Sequence, residues 1–406
     1  MTPPLLDDDA AIAAAESLRP VIAAGAAARD RDRILPRAEL DALSQSGLLG
    51  ITVPARFGGR PVATATVARV VATLARGDAS VAQIPQSHLT FLDALRRTGT
   101  DLQQKRWFGE ALSGRRFANA QSERGTPTVG IDHTSFVPRS DGSYRLNGRK
   151  YYCTGALLAH WLVVRGVVGD HRASDAQRRK VLAYLPVDTP GIVVEDDWDG
   201  LGQRTTASGT VVLSDVDVPA DALIPYSAIF TEASTYGARA QLVHAAIDVG
   251  IARAAIDAAR TAVAGARPPV DAGVETADRD PLLLQQFGDL EITVRSAEAL
   301  LVEAGRAIDR AEDPRAEGPG TTDPEVAAAA SIAVAAAKVV ATRAALDTTA
   351  SLFDAGGTRS AAASSGTDRL WRDARTHTLH DPSRWKVQHV GRYALTGAHP
   401  PRHGLV

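Results

Sequence analysis

A chain of 406 residues is too long for one simple core and implies two or three domains or one composite unit. With 45% hydrophobic and 23% charged residues it reads as a soluble globular protein, which excludes disorder over most of the length. A formal charge of -2 leaves no basic footprint for nucleic acid or an anionic membrane.

The single cysteine, Cys153, excludes an intrachain disulfide and a thiolate metal cluster, and it suits a reducing compartment. The start, MTPPLLDDDAAIAAAES, is acidic and lacks the basic region of a secretory signal. No apolar run stands out as long enough to span a bilayer, so a cytoplasmic location is expected. Alanine is frequent and aromatic residues make up only 5%, which predicts a largely helical protein.

Residues 8–115 read as helices. AAIAAAESLRPVIAAGAAARDRDR carries apolar residues at helical spacing with a charged face. ELDALSQSGLLG ends on the stop signals Gly47 and Gly50, and ITVPARFGG is a loop. PVATATVARVVATLARGDASVAQIPQSHLTFLDALRRTG predicts further helices, with breaks at Gly77-Asp78 and at Pro85.

From about residue 117 the texture changes. YRLNGRKYYCTG predicts a hairpin turning at Asn147-Gly148. HWLVVRGVV, KVLAYLPV, GIVVEDDW and GTVVLSDVDVP are short β-branched runs, so a small β-barrel or sandwich is expected. Four long helical patterns follow, starting at ARAQLVHAAID, PLLLQQFGD, PEVAAAAS and GTDRLWRDA, and read as an up-and-down bundle. The intervening 268–280 and DPRAEGPGTTD are loops, and the tail HVGRYALTGAHPPRHGLV reads as irregular. The expected fold is mainly α with a central β-domain. A helical domain spans 1–116, a small β-barrel 117–226, and a C-terminal four-helix bundle with an extended tail 227–406.

RTHTLHDP places His377 and His380 three residues apart. No further ligand motif accompanies them, so a metal site is not expected. From the residues alone, His380 is either a helix-end imidazole favoured by the helix dipole or a proton-transfer group. His88 is either a buried histidine satisfied by backbone or a site residue.

In this order, ITVPARFGG, YRLNGRKYYCTGALLAHWLVV, GLGQRTTASGTVVLSDVDVP, SLFDAGGTRS and RLWRDARTHTL resemble the acyl-CoA dehydrogenase superfamily across nearly the whole chain. VAQIPQSHLTFLDALRRTGT, RTHTLHDPSRWKVQHVG and PPRHG resemble a subgroup of it, the sulfur-acquisition oxidoreductases and dibenzothiophene monooxygenases. These are flavin-dependent monooxygenases supplied with reduced FMN by a separate reductase. The dehydrogenases carry a Tyr-Glu-Gly-Thr stretch whose glutamate is the base. Here His380-Asp381-Pro382 stands at that spacing, and moving a base by about an ångström costs roughly a hundredfold in rate. The Arg-x-x-Phe-Gly stretch of the FAD-binding members is represented only by Arg267 in GARPPV, which favours FMN over FAD.

The resemblance implies a role for each candidate residue. His380 lies beside the flavin, where it protonates or holds a C4a-hydroperoxide, and His88 faces the substrate cavity. Asn119, Ser122, Tyr152, Thr154 and Trp198 contact the flavin ring or wall its pocket. Arg359, after Gly356-Gly357, binds the phosphate end across a subunit interface with Arg267 as partner. His377 is support for the site or a surface residue. The implied partners are O2, a small organosulfur substrate, a separate flavin reductase and further copies in a homotetramer. The alternatives are an FAD-dependent acyl-CoA dehydrogenase with a relocated base and a non-enzymatic flavin binder.

Overall fold

The computed structural model describes residues 2–128, 130–169, 179–316 and 322–405. The first part is helical: α1 (Asp8–Ala23), α2 (Ala26–Asp32), α3 (Arg37–Gln45), α4 (Thr64–Gly77), α5 (Ala79–Thr98) and α6 (Asp101–Leu112). The helical spacing over 10–33 is divided between α1 and α2, because Gly25 turns left-handed at φ 73°. Asp78 breaks α4 from α5 as expected. Its backbone is extended and its carboxylate accepts from the N–H groups of Ser80 and Val81. Pro85, by contrast, breaks nothing and lies inside α5. Its missing N–H costs about 3 kcal/mol in an isolated helix. Here Ile84, Pro85, His88, Leu89, Phe91 and Leu92 are all buried, and that packing outweighs the lost bond.

Eight strands follow among the described residues: β1 (Phe117–Ala120), β2 (Ser135–Pro138), β3 (Tyr144–Lys150), β4 (Trp161–Val168), β5 (Arg179–Pro186), β6 (Ile192–Val194), β7 (Val211–Val218) and β8 (Leu223–Pro225). They form one sheet in the order β6-β7-β3-β2-β4-β5-β8, with β1 parallel to β4. Phe136, Leu146, Leu162, Val164 and Val216 fill its interior. The hairpin turn expected at Asn147-Gly148 is not there. Both residues lie within β3, whose register against β7 shifts between Leu146 and Gly148. A Cβ on Gly148 would collide with the Thr134 side chain, so this glycine serves close approach rather than turning. The turn is Asp141-Gly142, between β2 and β3, where Gly142 has φ 84°.

The last part holds α7 (Tyr236–Ala264), α8 (Pro281–Ala311), α9 (Pro324–Gly356), α10 (Asp368–His377) and α11 (Ser383–Thr396). Asp280 and Asp323 cap α8 and α9, each followed by a proline at the first helical position. α9 is long and apolar enough by composition to cross a membrane, contrary to the reading of the sequence. In the fold it is the central rod of the bundle, packed on α7, α8 and α11 through buried alanines. The tail is also more ordered than its Gly and Pro content predicts. HVGRYALT belongs to α11, which packs along α9. Tyr393 Oη donates to Glu325 Oε1 at 2.6 Å, tying that helix to the start of α9.

Candidate functional site

α7 runs through the centre of the molecule and presents Gln241, His244 and Asp248 on one face. α10 ends at His377, and the turn before Pro382 carries His380 back towards α7. His380 is therefore not on a helix but in the turn after one, 37% exposed at its side chain. Its ring stacks on His244 with centroids 3.8 Å apart. His244 Nδ1 lies 3.1 Å from His377 Nε2, and His377 Nδ1 lies 2.5 Å from Asp248 Oδ1. Lys338 Nζ and Thr342 Oγ1 donate to the other Asp248 oxygen at 2.9 and 3.0 Å. His377 is thus support for this site and not a surface residue.

Burial pushes the Asp248 carboxyl up, but Lys338 and His377 outweigh it and hold it at about 2. Burial drives His244 well below the ordinary imidazole range, with the neighbouring His380, His377 and Lys338 acting in the same direction. Burial lowers His377 too, although Asp248 pulls the other way. The buried group is one ion pair and two neutral imidazoles.

Asp381 is held separately. It lies 3.3 Å from His380 Nδ1 and 3.2 Å from Lys386 Nζ. The Gln241 amide, in its satisfied orientation, donates to it at 3.1 Å. Burial raises this carboxyl, but His380, Lys338 and Lys386 together hold it well below the carboxylate range. A carboxylate so engaged is a poor carbon base.

A second group of side chains lies on the sheet and the loop after β6. Tyr152 is left-handed at φ 56°, 51% exposed, and meets the Trp198 ring edge-on at 6.3 Å. Thr154 Oγ1 lies 2.8 Å from Ser208 Oγ, and Ser122 bridges to Tyr151. Asn119 Oδ1 is buried with no hydrogen-bond partner among the described residues, as are both amide atoms of Gln203. Native proteins rarely leave such atoms orphaned, and the edge of a heteroaromatic ring offers the donors and acceptors they lack. Gln203 and Ala207 are also left-handed, at φ 52° and 49°. These residues fit the edge of a flavin.

The two groups are fastened together. Gly202 N donates to Thr376 Oγ1 at 2.9 Å and Gln203 N to Asp373 Oδ1 at 2.6 Å. A Cβ on Gly202 would collide with the Arg372 carbonyl, so only glycine allows the loop to dock on α10. Burial pushes Asp373 up to about 7, though Arg369 and the Gln203 N–H oppose it.

Arg359 and Arg267 are not brought to this place within one chain. Arg359 Nη1 donates to the Gly265 carbonyl at 2.6 Å and so caps the end of α7. His244 lies 21 residues before Gly265, which is about 30 Å along a helix. Arg267 is exposed and has no hydrogen-bond or ion-pair partner among the described residues. A phosphate role for either in the same site requires a second copy of the chain.

His88 is also a structural residue in this fold. Its Nε2 donates to the Leu49 carbonyl at 2.8 Å, and its Nδ1 accepts from Phe117 N at 3.3 Å. Both nitrogens are occupied by backbone, which leaves none for substrate. Burial lowers it to about 4 from 6.5. The unfolded chain therefore takes up this proton as pH falls below 6.5, while the folded chain does not until about 4. Stability is expected to fall across that window by up to about 3 kcal/mol from this group alone. Urea midpoints measured on His88→Gln should show a smaller loss over the same window.

Reading the sequence missed Gln203, Gln241, His244, Asp248, Lys338 and Lys386. A signal was present: QLVHAAID puts three polar groups at helical spacing in an apolar helix, and Lys338 interrupts AVAAAKVVA. Among the described residues, no three His, Cys, Asp or Glu side chains are placed to hold a metal ion. On the opposite side of α7 a small cavity of about 50 Å³ is lined by Val67, Leu89, Thr90, Tyr236 and Val243. None of the three site histidines lines it.

Family models for the acyl-CoA dehydrogenase N-terminal, middle and C-terminal domains match residues 8–115, 117–216 and 242–384. The chain is 33% identical over 402 residues to the dibenzothiophene monooxygenase of Rhodococcus qingshengii, covering 97% of this chain and 95% of that one. It is 32% identical to the probable FMNH2-dependent monooxygenase SfnC of Pseudomonas putida, over 96% of each chain. Among solved structures it is similar to TdsC of Paenibacillus sp. A11-2 in complex with FMN and indole. That match has a TM-score of 0.88 at 32% identity and covers 98% of this chain and 99% of the other.

Proposed function

The chain belongs to the acyl-CoA dehydrogenase family, and from that premise we propose that it is a flavin monooxygenase using reduced FMN and O2 to oxygenate a small organosulfur substrate. The observation that carries this reading is the state of Asp381. It stands where the resemblance puts the dehydrogenase base, yet it is buried in contact with Lys386, Gln241 and His380. What the site offers instead is a partly exposed imidazole, His380, stacked on a buried one. That is equipment for moving a proton near neutral pH rather than for abstracting one from carbon.

When bound, the flavin supplies the oxygen-activating chemistry, through a C4a-hydroperoxyflavin in this reading. The chain supplies orientation, exclusion of water and a proton at His380. Asn119, Ser122, Tyr152, Thr154 and Trp198 hold the ring, and Gln203 joins them because its amide atoms need partners. Arg267 and Arg359 of a neighbouring copy take the phosphate, which makes a homotetramer part of the proposal. A separate flavin reductase and a cytoplasmic location complete it, and the buried, lone Cys153 suits that compartment. The relatives' names favour sulfur as the oxygenated atom over nitrogen or aromatic carbon.

The test is to mix the anaerobic protein with reduced FMN and dibenzothiophene, admit 18O2, and analyse products by mass spectrometry. Incorporation of labelled oxygen on sulfur is expected, with no turnover of an acyl-CoA. Bleaching of a copurifying FAD by butyryl-CoA would replace this reading with the dehydrogenase one.

A further inference from the structure

The hydrogen bonds behind His380 fix where protons lie. Asp248 is a carboxylate and only accepts, so the proton between it and His377 is on His377 Nδ1. The Lys338–Asp248 pair already balances its own charge. At rest, a protonated His377 would add a net charge to a ring packed behind His244 and away from the exposed His380, so in the resting site His377 is neutral and its Nε2 is a lone pair. The proton between the two imidazoles is then on His244 Nδ1. His244 Nε2 is left bare. That nitrogen has no hydrogen-bond partner among the described residues, although the residue is only 2% exposed.

We propose that His244 Nε2 is a second proton-accepting position of the site, made so by the Asp248–His377 relay, and that His244 and His380 share at most one proton beyond the N–H that each neutral ring carries. The proposal rests on the reading above in which His380 handles the proton of the reaction. A proton arriving at Nε2 makes His244 an imidazolium whose Nδ1–H still donates to His377, which in turn donates to Asp248. The stabilising carboxylate acts two hydrogen bonds away, as an orienting carboxylate does behind a catalytic imidazole. Two imidazolium charges on rings stacked at 3.8 Å would repel strongly, so only one of the two rings is charged at a time. The charged and titratable groups around the pair are Asp248 on α7, Lys338 on α9, His377 on α10, Asp381 in the turn and Lys386 on α11. No electron moves in this step. A proton leaves an O–H or N–H of the bound reactants for nitrogen and is later returned.

Two variants test it on the full-length protein. In Asp248→Asn, Lys338 keeps the amide oxygen, so the amide N–H faces His377 Nδ1. Both imidazole tautomers then reverse, and His244 carries its proton on Nε2. His244→Phe keeps a stacked ring, has no nitrogen, and leaves the Lys338–Asp248 pair untouched, so it serves where Asp248→Asn does not fold.

The first readout is imidazole 15N NMR of the flavin-free protein. It should show His244 protonated at Nδ1 in the wild type and at Nε2 in Asp248→Asn. The second is product formed per reduced FMN oxidised, which should drop about tenfold or more in both variants. The acid limb of its pH profile should also move. Wild-type coupling in His244→Phe would make His244 a mere platform and overturn the proposal, as would a wild-type His244 protonated at Nε2. If His380→Ala uncouples the enzyme while these two variants do not, the proposed function stands and this inference falls. If His380→Ala stays coupled, both fall.

Discussion

Replacing His380 with alanine is expected to leave reduced FMN binding intact while product formation drops by about a hundredfold, hydrogen peroxide appearing in its place. In the proposed function the flavin's ring contacts come from the other group of residues, Tyr152, Thr154, Trp198 and Gln203, whose own partners include one another and Ser208. Affinity should therefore be carried by that group. His380 is the imidazole of the three with substantial exposure, and its Nδ1 faces Asp381. Its Nε2 is thus the ring nitrogen available to reactants. Removing it also uncovers His244 and admits water where water must be kept out. The measurement is stopped-flow oxidation of reduced FMN with product and peroxide quantified from the same mixture. Normal coupling in His380→Ala would end the role assigned here. Asp381→Asn should be milder, since its amide oxygen can still accept from His380 Nδ1, while Lys386, which then faces the amide N–H group, keeps the Leu405 carbonyl as acceptor.

The order of helices, sheet and bundle was legible because each part announces its own period. The strand runs around Val163, Ala183 and Val212 carry β-branched residues between turn signals, and PLLLQQFGD to AIDRA marks α8 at both ends with Pro281 and a closing charge. Local signals failed where packing overruled them. Pro85 sits in a helix because its neighbours are buried on several sides, and Asn147-Gly148 sits in a strand because Thr134 crosses over Gly148. Some of the grouping was legible as well: the Tyr152 and Trp198 rings meet, and His377 and His380 both contact the His244 ring. What joins the histidines to Asp248 and Lys338 is a contact across 90 to 133 residues of sequence, which no spacing rule reports. His88 looked like a site residue for the opposite reason. The resemblance placed His88 at the substrate cavity, and its stretch QSHL gives no sign that backbone from Leu49 and Phe117 occupies both its nitrogens.

The largest effect on stability is expected from Lys338→Met, which should cost about 3–5 kcal/mol. Asp248 and Lys338 are 0% and 1% exposed at their side chains, so water cannot replace a missing partner. Methionine fills nearly the same volume, so the loss reports the stranded carboxylate rather than a cavity. The pH dependence fixes the cause. In the wild type Asp248 is held at about 2, below the 3.8 of an ordinary carboxyl. It therefore stabilises the fold above about 3.8, and that contribution is lost as pH falls through about 2. Without Lys338, burial is the dominant influence and raises the carboxyl above its unfolded value, so the sign reverses. The variant should then be least stable near neutral pH relative to wild type and recover part of the deficit in mild acid, where the carboxyl protonates. Guanidinium unfolding followed by circular dichroism at both conditions measures this. Adding Asp248→Asn to Lys338→Met removes the unpaired charge, and should restore most of the stability, because replacing both partners of a buried ion pair is far less costly than stranding one. A double variant as unstable as the single one would mean that the cost lies in packing around Thr342 and His377 and not in the charge.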